Sequence, residues 1–98
     1  MTRGEHHFLA LDLGAESGRG ELVTLKGGKV TMRELHRFPN RRVKLAGTMY
    51  WDFPFLFAEI LSALRVCRHE GIELSGLSVD TWGVDFGLLD RDGRLLSN

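Results

Sequence analysis

The chain has 98 residues, 43% of them hydrophobic and 27% charged, with thirteen basic side chains balancing thirteen acidic ones. That balance belongs to one globular domain and excludes a disordered chain, while zero net charge leaves no overall field to recruit nucleic acid or an anionic membrane. One cysteine, Cys67, excludes an intramolecular disulfide and a Cys-x-x-Cys site and fits a reducing cytoplasm; the opening Met1-Thr2-Arg3-Gly4-Glu5-His6-His7 lacks the apolar core of a signal peptide, and no apolar run reaches the ~18 residues of a membrane span.

Residues 8–13, Phe-Leu-Ala-Leu-Asp-Leu, predict a buried strand that runs through Gly14 into a tight turn of small polar residues reaching Gly20. Residues 21–26 alternate polar and apolar, Gly27-Gly28 offers a permissive turn, and residues 29–38 alternate again before Pro39-Asn40. Strands two and three of a meander follow. Residues 41–50 hold neither period and are expected to form a long loop. Asp52 as N-cap, Pro54 in the first turn, and Phe57, Ile60, Leu61, Leu64 and Cys67 or Arg68 at helical spacing predict a helix. Gly71, just past the basic last turn of Arg68 and His69, is its stop. Residues 77–82 read as a second short buried strand, Gly83 interrupts it, residues 84–89 resume it, and Asp90-Arg91-Asp92-Gly93 turns into a return strand.

The expected order is βββαβ in an α/β mixed sheet. Strand one runs up, two down and three up, and a helical crossover makes the fourth strand parallel to the first. The tips bearing Asp12-Leu13-Gly14 and Asp80-Thr81-Trp82-Gly83 then share the edge where α/β sheets bind ligands.

The segment Asp12-Leu13-Gly14-Ala15-Glu16-Ser17-Gly18-Arg19-Gly20 fits neither the dinucleotide fingerprint nor the P-loop. It is a hairpin whose small residues let backbone N–H groups approach an anion. Ser17 adds a hydroxyl, Arg19 a guanidinium, and Asp12 a carboxylate able to hold Mg²⁺ directly or through water. A glycine-rich turn capped by Asp12 accounts for the same residues. The segment Val79-Asp80-Thr81-Trp82-Gly83-Val84-Asp85-Phe86 sets two carboxylates and an indole around a glycine. Asp80 is expected to be hydrogen-bonded or to face a wet cleft, with Trp82 on its face of the strand and Thr81 opposite. An aromatic ring beside polar groups suits the apolar face of a sugar, and Gly83 would admit a ligand to the backbone. A bulge with Trp82 in ordinary core is the alternative. Arg33, Arg37, Arg41, Arg42 and Lys44, with His36 beside them, lack interleaved aromatics and read as a solvated loop. Cys67 reads as a small buried hydrophobe.

With those residues placed, the chain resembles the N-terminal part of the FGGY carbohydrate kinase family. The matching stretches are Asp12-Leu13-Gly14-Ala15-Glu16-Ser17-Gly18-Arg19, Leu35-His36-Arg37-Phe38-Pro39-Asn40, Trp51-Asp52, and Val79-Asp80-Thr81-Trp82-Gly83-Val84-Asp85-Phe86. The resemblance implies a ribonuclease H-like fold of the actin and hexokinase type, with residues 1–98 as an incomplete first kinase domain and the adenosine-binding domain absent. It implies transfer of the ATP γ-phosphate, with Mg²⁺, to O1 of L-rhamnulose in cytoplasmic L-rhamnose breakdown. By the same resemblance Ala15, Glu16, Ser17, Gly18 and Arg19 form the ATP-phosphate hairpin, Asp12 organises Mg²⁺ through water, and Gly83 contacts the sugar. Trp82 and Asp85 are then sugar-pocket neighbours. Glu16 departs from the family, which commonly has a small hydroxyl residue there. The family's catalytic aspartate falls downstream of these motifs, so the isolated chain is expected to be inactive and prone to self-association, with no nucleic-acid or membrane partner. Two rivals remain: a two-metal nuclease built on Asp12, Asp80 and Asp85, and a sugar-sensing or partner-binding module without catalysis.

Overall fold

Three leucines spaced by two, Leu9, Leu11 and Leu13, put one face of β1 (Glu5–Leu13) into the core, where Leu9 and Leu11 are 0% and 1% exposed. The computed structural model describes residues 4–98; Met1, Thr2 and Arg3, part of the stretch read for a signal peptide, lie outside the described residues. β1 pairs antiparallel with β2 (Ser17–Lys26), and β2 pairs antiparallel with β3 (Lys29–Pro39) across a register shift at Gly20/Glu21. Both turn glycines, Gly27 and Gly28, take positive φ, the geometry that a two-residue hairpin matching the strand twist demands. On the other side of β1, β6 (Gly76–Thr81) adds in parallel, giving the order β3-β2-β1-β6. The meander, the crossover and the parallel fourth strand are therefore as the sequence predicts.

Helix α1 (Phe53–His69) connects β3's side of the chain to β6. Asp52 caps it by accepting from the Phe55 N–H, and Pro54 sits in the first turn. At the far end Gly71 takes φ +72, with its N–H bonded to Arg68 O and the Ile72 N–H to Cys67 O. These two bonds satisfy carbonyls that the helix end would leave open. The helix lies over the leucine face of the sheet, where Ala63 and Cys67 meet Leu9 and Leu11, and Leu56 meets Leu13 and Phe38. Close approach needs small residues: a Cβ on Gly20 would stand 3.2 Å from that of Ala63, and one on Gly18 would overlap the Phe38 ring.

Four expectations give way. The long loop at 41–50 is instead a hairpin, β4 (Arg42–Leu45) and β5 (Thr48–Trp51), turned at Ala46-Gly47 with both residues at positive φ. Four residues of alternation per strand are too short a signal to stand out from a basic tract. The helix buries Leu56, Ala63 and Cys67 and leaves Phe57 53% exposed, so its core stripe is rotated from the one expected. β6 is an edge strand whose residues are mostly exposed, not a buried one, because among the described residues it pairs with β1 alone. Residues 84–89 form no strand; only a Leu89–Leu95 bridge closes the Asp90-Arg91-Asp92-Gly93 turn. Among the described residues no helix is long and apolar enough to cross a membrane.

Candidate functional site

The tips of β1 and β6 come together as register requires: Asp12 stands opposite Asp80, and Leu13 opposite Thr81. Residues directly opposite in a parallel ladder share a face. The two aspartates therefore project on the face away from α1, while Leu13 faces the helix.

Beyond Leu13 the chain reverses through residues 14–16. The Gly14 N–H bonds Ser17 O at 3.0 Å, and a Cβ on Gly14 would come within 2.7 Å of that same oxygen. Asn40, at the end of β3, braces the turn twice: its N–H donates to Glu16 O and its Nδ2 to Gly14 O, each at 2.9 Å. Arg19 donates to Asp12 Oδ2 at 2.9 Å and to Ser17 Oγ at 3.0 Å. Arg37, ion-paired to Glu34, reaches the same hydroxyl at 3.5 Å. Ala15 and Glu16 are exposed at the apex and Gly18 is buried beneath Phe38. Among the described residues one buried donor is unspent: the Arg19 Nε has no hydrogen-bond partner. The turn is thus a hairpin braced by Asn40, with the Arg19 guanidinium folded back at its base.

Asp80 carries the electrostatic signature of the pair. Its carboxyl is pushed above the ordinary range, first by a hydrogen bond with Asp12 and then by burial and the Asp12 charge, with Arg19 pulling the other way. Two carboxylates this close share a proton or are neutralised by a cation. Their oxygens are the hard donors that Mg²⁺ prefers, and two carboxylates plus waters are a usual Mg²⁺ set. The donor chemistry present fits that ion and an anionic phosphate beside Arg19.

On the helix side of the same strand tips lies a cleft of about 260 Å³ whose walls include Leu13, Tyr50, Trp51, Thr81, Trp82 and Phe86. Trp82 leaves the strand and packs against the Leu13, Phe38 and Leu56 cluster. It therefore does not share a face with Asp80, contrary to the period-two expectation, because β6 ends at Thr81 and the alternation stops there. The Trp82 ring lies 4.8 Å from that of Trp51, inclined at 55°. Both indole Nε1–H groups donate to one oxygen, Asp85 Oδ2, at 2.8 Å each. Those two bonds, Trp82's first, hold the Asp85 carboxyl below the usual carboxylate range. Gly83 has open space where a side chain would stand. Val84, 97% exposed, adopts φ +74, a conformation that a β-branched residue occupies only under constraint.

The structure thus joins Asp12, Ser17, Arg19 and Asp80 on one face, and Trp82, Gly83 and Asp85 on the other flank of the same edge. Asp85 is engaged by the indoles and stands apart from Asp12 and Asp80. Among the described residues no three metal-ligating side chains converge, so the carboxylate trio of a two-metal nuclease is not assembled. The basic cluster is a loop only in part: Arg33 and Arg37 lie on β3, Arg42 and Lys44 on β4, and Arg33 pairs with Glu70. His36 pairs with Glu59 of the helix. Sequence reasoning gave no role to Asn40 or Trp51, whose partners lie 26 and 34 residues away; no local pattern signals such contacts.

No protein-family model matches the chain. Similarity to curated proteins is extensive: it is 41% identical over 92 residues to a rhamnulokinase of Bacteroides thetaiotaomicron, covering 94% of this chain and 19% of that protein. It is 41% identical over 93 residues to one of Halalkalibacterium halodurans (95% and 20%), and 45% identical over 89 residues to one of an Enterobacter species (89% and 18%). The chain spans about a fifth of the length of the curated relatives it matches.

Proposed function

Taking the likeness to rhamnulokinases along nearly the whole chain as the premise, we propose that these residues are the opening part of an ATP-dependent sugar kinase. It phosphorylates L-rhamnulose at O1 in cytoplasmic L-rhamnose breakdown, on a ribonuclease H-like domain. The observation that carries the reading is the parallel β1–β6 register, which brings the Asp12 and Asp80 motifs to one sheet edge.

In this reading the turn amides around Ala15, Glu16, Ser17 and Gly18, with the Ser17 hydroxyl and the Arg19 guanidinium, receive the charge of the donor phosphates. Phosphoryl transfer depends mostly on positioning and charge stabilisation, and MgATP supplies the transferred group when bound. Asp12, with Asp80 beside it, would hold the divalent cation, whose charge would offset that of the donor phosphates. Glu16 turns its exposed carboxylate to solvent and lends only its backbone. On the other flank Trp82 offers an apolar ring face to the sugar, Gly83 a bare backbone, and Asp85 a neighbouring carboxylate. In this reading the proton acceptor for the sugar hydroxyl is not among the motifs placed here, and the 98-residue chain is expected to give no turnover by itself.

A coupled assay on the kinase-length protein tests this. MgATP and L-rhamnulose give steady turnover, Arg19→Ala lowers kcat/KM by at least tenfold, and the isolated chain gives none. Sugar binding without nucleotide turnover in the long protein would favour a sensor instead, and turnover by the isolated chain would overturn the division of labour.

A further inference from the structure

Among the described residues hairpin β4–β5 pairs only with itself and joins no strand of the main sheet. The segment after β6 has no strand beyond the isolated Leu89–Leu95 bridge, and near its start Val84 takes a constrained conformation. Two pieces outside the main sheet therefore meet at the cleft, joined by the Trp51–Trp82 ring contact and by Asp85. Its Oδ2 accepts from Trp51 of the hairpin and from Trp82 of the β6 exit, both at 2.8 Å. A single oxygen shared by two indole N–H groups fixes the rotation of both rings as well as their separation, and both rings line the cleft.

We propose that Asp85 is a positioning residue that clamps Trp51 and Trp82 into one aromatic wall, and that Trp51, from the hairpin, is a second ring facing the ketose. The role in sugar binding rests on the kinase reading; the clamp itself does not. Paired indoles give a sugar two apolar faces at fixed inclination, and a wall assembled from two segments loses its shape when the link is cut. Val84 keeps its constrained backbone because Trp82 and Asp85, on either side, are pinned.

Trp51 and Trp82 are the only tryptophans of the chain, so its exciton-coupled circular dichroism reports on this pair alone. In Asp85→Ala the coupled signal is lost while far-ultraviolet helicity is retained. Asp85→Asn, which keeps an oxygen acceptor, recovers part of it. In the kinase-length protein the same Asp85→Ala and Trp51→Ala each raise the KM for L-rhamnulose by roughly tenfold with kcat and the KM for MgATP within about twofold. A purely structural role would lower thermal stability without that split. Persistence of the coupled signal in Asp85→Ala overturns the clamp. Loss of the signal with an unmoved ketose KM overturns the positioning role. A wild-type long protein that binds no ketose sinks the kinase reading, while the spectrum still decides the clamp.

Discussion

Asp12 and Asp80 show how a single ladder position sets an electrostatic state. Asp80 holds its proton more tightly in the fold than an ordinary carboxyl does, chiefly through the Asp12 hydrogen bond. A folded value above the unfolded one means the native state binds the extra proton. The contribution of Asp80 to stability therefore falls as pH rises out of the ordinary carboxylate range through the raised value, and returns on acidification. Asp12→Asn should bring the Asp80 titration, followed by carboxyl NMR, back toward the ordinary range; an unshifted Asp80 would refute the coupling. Cys67 is the opposite kind of residue. Burial first, then Glu70, pushes its thiol up, and it is packed with Leu9, Leu11 and Ala63. A raised, enclosed thiol is unreactive, so iodoacetamide at pH 8 should label it only after denaturant unfolds the chain. Gly18 is fixed by steric space: Gly18→Ala forces the buried Phe38 ring to move, at a cost of about 1–3 kcal/mol, readable as a lower denaturation midpoint.

At the scale of elements, termini and turns carry more information than strand interiors. Asp52 caps α1 through the Phe55 N–H, and Asp52→Ala should cost about 1 kcal/mol, seen as a drop in Tm. Ala46 occupies φ +48 in the β4–β5 turn, where a residue with a side chain is disfavoured by ~1–2 kcal/mol and glycine is not. Ala46→Gly should slow hydrogen exchange of the hairpin amides several-fold. Faster exchange would show that added chain entropy outweighs relieved strain.

For the molecule as a whole, β6 is the exposed feature. Among the described residues nothing pairs with its outer edge, and Leu77 and Val79 are 52% and 45% exposed on the side that α1 covers elsewhere. Unpaired edges flanked by apolar side chains template pairing with another chain. A pI near 6.9 removes charge repulsion at neutral pH. Sedimentation should show association that grows with concentration and peaks near pH 7, and Val79→Lys should weaken it; a monomer across the concentration range would contradict this.

The elements with local signals were legible from the residues alone. The alternating leucines of β1, the Gly27-Gly28 turn, the Asp52 cap and the Gly71 stop each depend on neighbours within a few positions, and each appears where the sequence puts it. The meeting of the Asp12 and Asp80 motifs at one edge also followed, since parallel pairing after a helical crossover leaves little choice. Tertiary structure alone decided the rest. Whether β6 was central or at an edge depended on which strands flank it, and the rotation of α1 depended on where Gly20 lets the helix settle. Trp51, Asn40 and the two-indole grip on Asp85 are contacts between distant segments, and such contacts leave no periodic trace in a sequence because nothing local enforces them.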